Sequence, residues 1–260
     1  VLDEENPMIM DMPASRQLQT DPGECGAVAL WTDPSSTDNC QVDTFVSTHE
    51  SGDFFPVGDT TVTYTSTDIH GNQSSETFVI SVDDNENPQI SGLSADLTLN
   101  NDIGECAAVA TWADPSASDN CEIQSFTSTH NSGESFAVGM TVVSYTALDI
   151  HGNETTDTFT VTVVDAEDPA ILGLSGDLSS TNDAGACGAN ISWSEPTAED
   201  NCEVQSLTSS HNSGDFFEVG TTTVTYTAMD IHGNMISGSF DVSISDDEAP
   251  VLANVPMDMV

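Results

Sequence analysis

Three short stretches concentrate hard oxygen donors: Asp83-Asp84-Asn85-Glu86-Asn87-Pro88, Asp165-Ala166-Glu167-Asp168-Pro169 and Asp246-Asp247-Glu248-Ala249-Pro250. Carboxylate and amide oxygens at this density suit calcium, which takes about six to eight of them in flexible geometry. A stretch this short cannot complete that shell, so other loops must contribute. The candidates are the recurring Asp-Ile-His-Gly-Asn segments, with Asp149 and Asn153 or Asp230 and Asn234, and the loops carrying Asp114, Asp119 and Asn120 or Glu195, Asp200 and Asn201. The expected ligands are Asp83, Asp84, Glu86, Asn87, Asp119, Asp149 and Asn153 at one place, and Asp165, Glu167, Asp168, Asp200, Asp230 and Asn234 at another. The third stretch, with Ala249 where Asn87 stands in the first, makes the weakest case. A competing reading is structural. Asp can bond its own backbone in a tight turn while Gly-Asn tolerates positive φ, and exposed acids can simply be solvated.

The rest of the chain offers these acids almost no partner. It holds 44 Asp plus Glu against a single cation, Arg16, for a net charge of −43. Neutralising phosphates requires Lys and Arg, so nucleic acid is excluded as a partner, and attraction to anionic lipid fails for the same reason. No run approaches the roughly 20 apolar residues of a spanning helix. Val1 opens no basic and apolar leader, which points to a mature chain or a fragment. Self-repulsion at this charge opposes compaction, so bound or screening cations are expected.

The elements that must position these groups repeat with a period of 81 residues. Trp31, Trp112 and Trp193 keep that spacing, as do Cys25, Cys106 and Cys187; Cys40, Cys121 and Cys202; His49, His130 and His211; and His70, His151 and His232. Pro7, Pro88, Pro169 and Pro250 mark successive starts. The expected modules are 4–84, 85–165 and 166–246, with 1–3 ending a preceding module and 247–260 opening a fourth. That last strand either begins the next module of a long array or completes a neighbouring subunit by strand donation.

Within a module, period-two alternation dominates and helical periodicity is absent. Ala27, Ala29 and Trp31 read as one core face, with Val28 and Leu30 pointing out. Val62, Tyr64 and Ser66 form a second face, and Phe78, Ile80 and Val82 a third. Phe54 and Phe55 read as core-filling hairpin edges. Turns at Asp21-Pro22-Gly23, Asp33-Pro34, Ser51-Gly52, Val57-Gly58 and His70-Gly71-Asn72 separate short strands, the signature of an antiparallel sandwich. The fold class is therefore all-β: tandem immunoglobulin-like antiparallel β-sandwiches in an extended rod. In that topology the loop before the last strand lies at a module's N-terminal pole, which would bring Asp149 and Asn153 to 84–88, and Asp230 and Asn234 to 165–169.

The succession GECGAVALW, TDNC, SGDFFPVGDTTVTYTSTDIHGN and TFVISVDDNENP resembles the hyalin repeat, an immunoglobulin-like extracellular module, over the whole chain. The resemblance implies extracellular adhesion or scaffolding and no catalysis. Many members carry two further cysteines, whose places near Ser47 and Thr77 hold other residues here, leaving one pair per module. The junctions also resemble cadherin interdomain linkers, where such oxygens bind calcium.

Cys25, Cys40, Cys106, Cys121, Cys187 and Cys202 read as disulfides of an oxidising compartment. The local solution pairs Cys25 with Cys40 across a hairpin tipped by Asp33-Pro34. Should those two cysteines lie at opposite ends of the sandwich, bonds between modules or subunits take its place. Two Cys and two distant His per module make a poor zinc site, which needs four ligands. His49 and His70 read as turn residues. Identical histidines in all three modules argue against an active site. The expected protein is an extracellular, calcium-stiffened structural or adhesive array, with neighbouring modules or its own copies as partners. A self-assembling filament subunit, or an array recognising a glycan or cell-surface receptor, are the alternatives.

Overall fold

The structure, a computed structural model, describes residues 3–251. Residues 1–2 of the expected preceding-module end (1–3), and residues 252–260 of the strand expected to open a fourth module (247–260) or be donated to another subunit, lie outside the described residues. The chain folds as two compact units. One comprises the described part of Val1–Ala95 with Trp112–Ser132 and Val142–Phe159; the other comprises Asp96–Thr111, Gly133–Thr141 and the described part of Thr160–Val260.

The first unit contains one complete repeat. Its strands are β1 (Met8–Met10), β2 (Arg16–Gln19), β3 (Gly26–Val28), β4 (Ser35–Thr37), β5 (Val42–Ser47), β6 (Phe54–Pro56), β7 (Gly58–Asp68) and β8 (Gln73–Asp83). A four-stranded sheet runs β2-β8-β7-β5, and two ribbons, β1 with β4 and β3 with β6, form the remainder of the sandwich. The long β7–β8 hairpin is antiparallel from Gly58 opposite Val82 to Thr67 opposite Gln73. One strand departs from a purely antiparallel sheet: β2 runs parallel to β8, with Arg16 opposite Ile80.

Alternation places the core as expected. Ala27, Ala29, Trp31, Phe55, Val62, Tyr64, Phe78, Ile80 and Val82 are buried together, whereas Val28 and Leu30 are exposed. Trp31 meets Phe78 edge-on at 5.2 Å between centroids, and its indole N–H donates to Tyr64 Oη at 2.8 Å. Tyr64 in turn donates to Asp33 at 3.1 Å, so the polar atoms inside this small core are paired, as burial requires. Phe54 corrects the reading of both phenylalanines as core: Phe55 is buried, but Phe54 is half exposed. Adjacent residues of a strand face opposite sides, so only one of them can enter the core.

The second unit contains the complete third repeat. Leu178–Thr181 runs parallel to Met235–Ser245, which pairs antiparallel with Gly220–Asp230. Its core gathers Ala189, Phe217, Val224, Tyr226, Phe240, Val242 and Ile244. Among the described residues, no helix is long and apolar enough to cross a membrane.

Candidate metal and disulfide junction

The β7–β8 turn shows how one carboxylate organises a hairpin. In the second repeat the equivalent Asp149 is fully buried. Its Oδ1 accepts the backbone N–H groups of His151, Gly152 and Asn153 at 2.8, 2.6 and 2.8 Å, and its Oδ2 accepts Asn153 Nδ2 at 2.7 Å. Burial opposes its ionisation, but the hydrogen bonds from Asn153, His151 and Gly152 outweigh that and hold its carboxyl below the ordinary range. Asp68 and Asp230 make the equivalent turns. Asn72 and Asn153, which head formal glycan acceptor motifs, commit Nδ2 to these aspartates.

The turn also reaches the acidic stretch. Asn153 Nδ2 donates to the main-chain oxygen of Asp84 at 3.3 Å, and His151 Nδ1 lies 3.1 Å from Asp84 Oδ2. Asp84 is itself buried, and its Oδ1 accepts the Glu86 N–H at 3.2 Å and Asn120 Nδ2 at 3.1 Å. Asp119 comes from the loop before Ile123–Ser128, where its Oδ2 accepts the Cys121 N–H at 3.0 Å. Asp84, Asp119 and Asp149 thus bring carboxylate oxygens within 4.8 Å of one another. At about 4 Å and an effective dielectric near 20, two such charges repel by ~4 kcal/mol, and the chain's single Lys or Arg, Arg16, is spent on the carbonyl of Leu30.

Two oxygens at this place are buried and have no hydrogen-bond partner: Asp119 Oδ1 and Asn120 Oδ1. Leaving such a group unsatisfied costs about 1–3 kcal/mol. The second unit repeats the feature. Asp200 Oδ1 and Asn201 Oδ1 are buried without partners, Asp165 is buried, His232 Nδ1 is 3.0 Å from Asp165 Oδ2, and Asn234 Nδ2 donates to the Asp165 carbonyl. The first repeat gathers Asp3, Asp38 and Asp68, with His70 Nδ1 3.5 Å from Asp3 Oδ2. Converging, uncompensated carboxylate and amide oxygens fit a hard cation such as calcium.

Several expected ligands have other work. Glu86 accepts the Gly23 N–H at 3.0 Å and Glu167 the Gly104 N–H at 2.9 Å, each closing a turn. Asp83 accepts Gln17 Nε2 at 2.6 Å. Glu195 takes the Tyr226 hydroxyl at 2.5 Å, away from the acidic stretch. Asn87 lines an open groove with Asp119 and Asn120, and Asp168 lines one with Asp200 and Asn201. His151 and His232, the repeat counterparts of the expected turn residue His70, hold their turns and also contact the buried aspartate. Their identical recurrence beside each Asp was the available signal.

The cysteine pairing corrects the local expectation. Cys25 bonds Cys121 and Cys106 bonds Cys202, each across 96 residues, while Cys40 and Cys187 are free and exposed. No hairpin joins β3 to β4: β3 pairs with β6, and β4 with β1. The turn holding Cys25 lies at the end where Thr20 N–H meets the Asp83 carbonyl. Cys40 precedes Val42, which pairs with Asp68 at the opposite end of β7. Cys25 therefore reaches the loop of the next repeat, where Asn120 Nδ2 also donates to the Glu24 carbonyl at 3.2 Å. Asn201 makes the same bond to Glu105 at 3.1 Å.

This architecture has relatives. Hyalin of Strongylocentrotus purpuratus is 37% identical over 248 residues, covering 92% of this chain and 21% of that protein. Hyalin of Lytechinus variegatus is 36% identical over 251 residues, covering 93% and 47%. The chain thus spans less than half the length of either relative. Mouse cadherin-23 EC22-24 aligns with 94% of the chain and 100% of that structure at 12% identity and a TM-score of 0.35, too distant to inform the site. A family model for the HYR domain matches 2–82, 83–163 and 164–244, the same interval that separates the tryptophans, cysteines and junction aspartates, and the chain belongs to the HYR domain family.

Proposed function

We propose that this chain is part of an extracellular structural or adhesive array, non-catalytic, whose successive modules are locked by calcium at each acidic junction. The observation that carries the reading is the pair of buried, unpartnered oxygens on Asp119 and Asn120, converging with Asp84 and Asp149 and repeated at Asp200, Asn201, Asp165 and Asp230. Asp84, Asp119 and Asn120 hold the ion in the first set, with Asp149 behind them as turn organiser and further oxygen source. Asp165, Asp200, Asn201 and Asp230 take these roles in the second. Module limits of 4–84, 85–165 and 166–246 place each acidic stretch at a joint, where a bound ion removes hinge freedom and stiffens a rod.

Two disulfides support an oxidising, extracellular setting. Repetition of the Asp84, Asp119, Asn120 and Asp149 positions at fixed register favours a structural role over catalysis, because repeat arrays gain stability from each nearest-neighbour interface. Partners are neighbouring modules or copies of the chain. A glycan or cell-surface ligand is the alternative; aromatic residues at 6% offer it little platform.

The test is thermal unfolding and small-angle scattering in high sodium chloride, with millimolar calcium and then with excess chelator. Calcium should raise the melting temperature and lengthen the particle at constant sodium. Identical behaviour in both conditions would show the acids to be a solvated surface and remove the calcium joint.

A further inference from the structure

Three asparagines head the Asn-x-Ser/Thr pattern to which a secretory route attaches N-linked sugar: Asn72-Gln73-Ser74, Asn153-Glu154-Thr155 and Asn190-Ile191-Ser192. The first two occupy equivalent places in successive repeats. The third stands elsewhere in its repeat, where the others carry Val28 and Val109. A sugar replaces one of the two hydrogens on Asn Nδ2, so the bonds each amide makes decide which can carry it in the folded chain.

Asn153 has no hydrogen to give up. Its Nδ2 donates to Asp149 Oδ2 at 2.7 Å and to the Asp84 carbonyl at 3.3 Å. Asn72 Nδ2 is spent in the same way, on Asp68 Oδ2 at 2.7 Å and the Asp3 carbonyl at 3.2 Å. Both amides are half-buried, in turns organised by a buried aspartate. A sugar on either cancels one of these bonds, and an acceptor left unpaired inside a fold is costly.

Asn190 differs on each count. It is exposed at the end of the strand Gly188–Asn190, and Ser192 beyond it is exposed as well. Among the described residues its Nδ2 makes one bond, a long one of 3.4 Å to Asp183 Oδ2. The same oxygen accepts the Asn190 backbone N–H at 3.2 Å. Asp21 and Asp102 accept the N–H groups of Val28 and Val109 at 2.9 and 3.0 Å in this way, with no side-chain amide to help. One Nδ2 hydrogen of Asn190 is therefore exchangeable with the turn intact.

The neighbour across the ribbon offers the sugar a seat. Gly188–Asn190 pairs antiparallel with Phe216–Glu218, and Asn190 lies directly opposite Phe216. Opposed side chains share a face, with Cβ atoms about 4.5–5.5 Å apart. Phe216 is half exposed, whereas Phe217 is buried in the core. At this place the first repeat sets Val28 against Phe54 and the second sets Val109 against Ser135. The third repeat alone puts an amide beside an exposed ring.

We propose that Asn190 is the N-glycosylated residue of this chain, its first sugar laid by its C–H face on the Phe216 ring, and that Asn72 and Asn153 stay unmodified. Glycosylation rests on the extracellular part of the proposed function and is independent of calcium. The donor is an oligosaccharide joined through an N-acetylhexosamine to a polyprenyl pyrophosphate. Asn190 Nδ2 attacks the anomeric carbon, and the C–O bond to the pyrophosphate breaks. An N–C bond forms, the pyrophosphate leaves, and the displaced amide proton passes to a base of the transferase.

The experiment secretes the chain behind a leader from a eukaryotic cell that N-glycosylates. Glycopeptides and disulfide-linked peptides of the same product are mapped by mass spectrometry, before and after the amidase that releases N-glycans and turns their Asn into Asp. Sugar on the Asn190 peptide is expected, with Asn72 and Asn153 bare. Asn190→Gln and Ser192→Ala should each lose the glycan, and Ser192→Thr should keep it. Glycosylated wild type should melt higher than Asn190→Gln. That difference should vanish in a Phe216→Ser background, a change to the residue the second repeat carries as Ser135. An empty Asn190 in a chain with Cys25–Cys121 and Cys106–Cys202 formed would overturn the proposal and leave the extracellular reading standing. Sugar on Asn72 or Asn153 of the disulfide-bonded chain would overturn it too, and an equal glycan increment in both backgrounds would remove the seat on Phe216. Missing disulfides beside an occupied Asn190 would count against the oxidising setting alone.

Discussion

Asn120 reaches the main-chain oxygen of Glu24 at 3.2 Å, beside the disulfide that joins the residues following them, Cys121 and Cys25. The same amide donates to Asp84 at 3.1 Å and leaves its own Oδ1 buried and unpartnered. One side chain therefore serves the covalent link, the acidic stretch and the candidate cation.

Ligand and turn-closing acids should separate in a calcium titration. Asp119→Ala and Asn120→Ala should each weaken calcium binding at that joint roughly tenfold or more, the effect of losing ~1.4 kcal/mol of ligand interaction. Glu86→Gln keeps an acceptor for Gly23 and should leave affinity nearly unchanged. Calorimetry on the three variants decides, and equal losses in all of them would assign the effect to overall charge.

Removing the Cys25–Cys121 bond by a double Ser substitution should lower the melting temperature sharply. Closing a loop near 100 residues is worth about 4–5 kcal/mol on the chain-entropy model. If the bond also positions the Asp119–Asn120 loop, calcium affinity should fall with it, and titrating the oxidised and reduced protein side by side measures that coupling.

Asp68, Asp149 and Asp230 all have carboxyls held below their ordinary range despite the opposing effect of burial. A depressed folded-state value stabilises the fold above the unfolded value of about 3.9 and loses that contribution as pH falls through the folded value. Melting temperatures should therefore drop steeply below about pH 4. Asp149→Asn should lower stability at neutral pH and flatten part of the acid limb.

Gly26 lies under the Phe54 ring, where an added Cβ would sit 2.4 Å from Phe54 Cζ and 2.3 Å from the Phe55 carbonyl oxygen. Gly188 faces Phe216 in the same way, whereas the second repeat carries Ala107 and Ser135 at these two positions. Gly26→Ala should cost about 1–3 kcal/mol by overpacking, and Phe54→Ser should recover much of that loss. Denaturant unfolding of both single variants and the double variant reads the coupling.

Much of this protein is legible without coordinates. Alternation along 27–31, 62–66 and 78–82 sufficed for strands and core, because burial of one face imposes period two. The junction acids raised the expectation of a cation because nearly every possible counter-charge is missing. Pairing was another matter. Fifteen residues separate Cys25 from Cys40 in sequence, but β3 and β4 join different partners and carry the two cysteines to opposite ends of the repeat. Along the chain, too, the junction acids look equivalent. Only the folded chain separated Glu86 and Glu167, whose carboxylates are consumed by backbone N–H groups, from Asp119 and Asn120, whose buried oxygens have nothing to accept. Composition determines which atoms are present; strand topology determines which of them are left facing one another away from water.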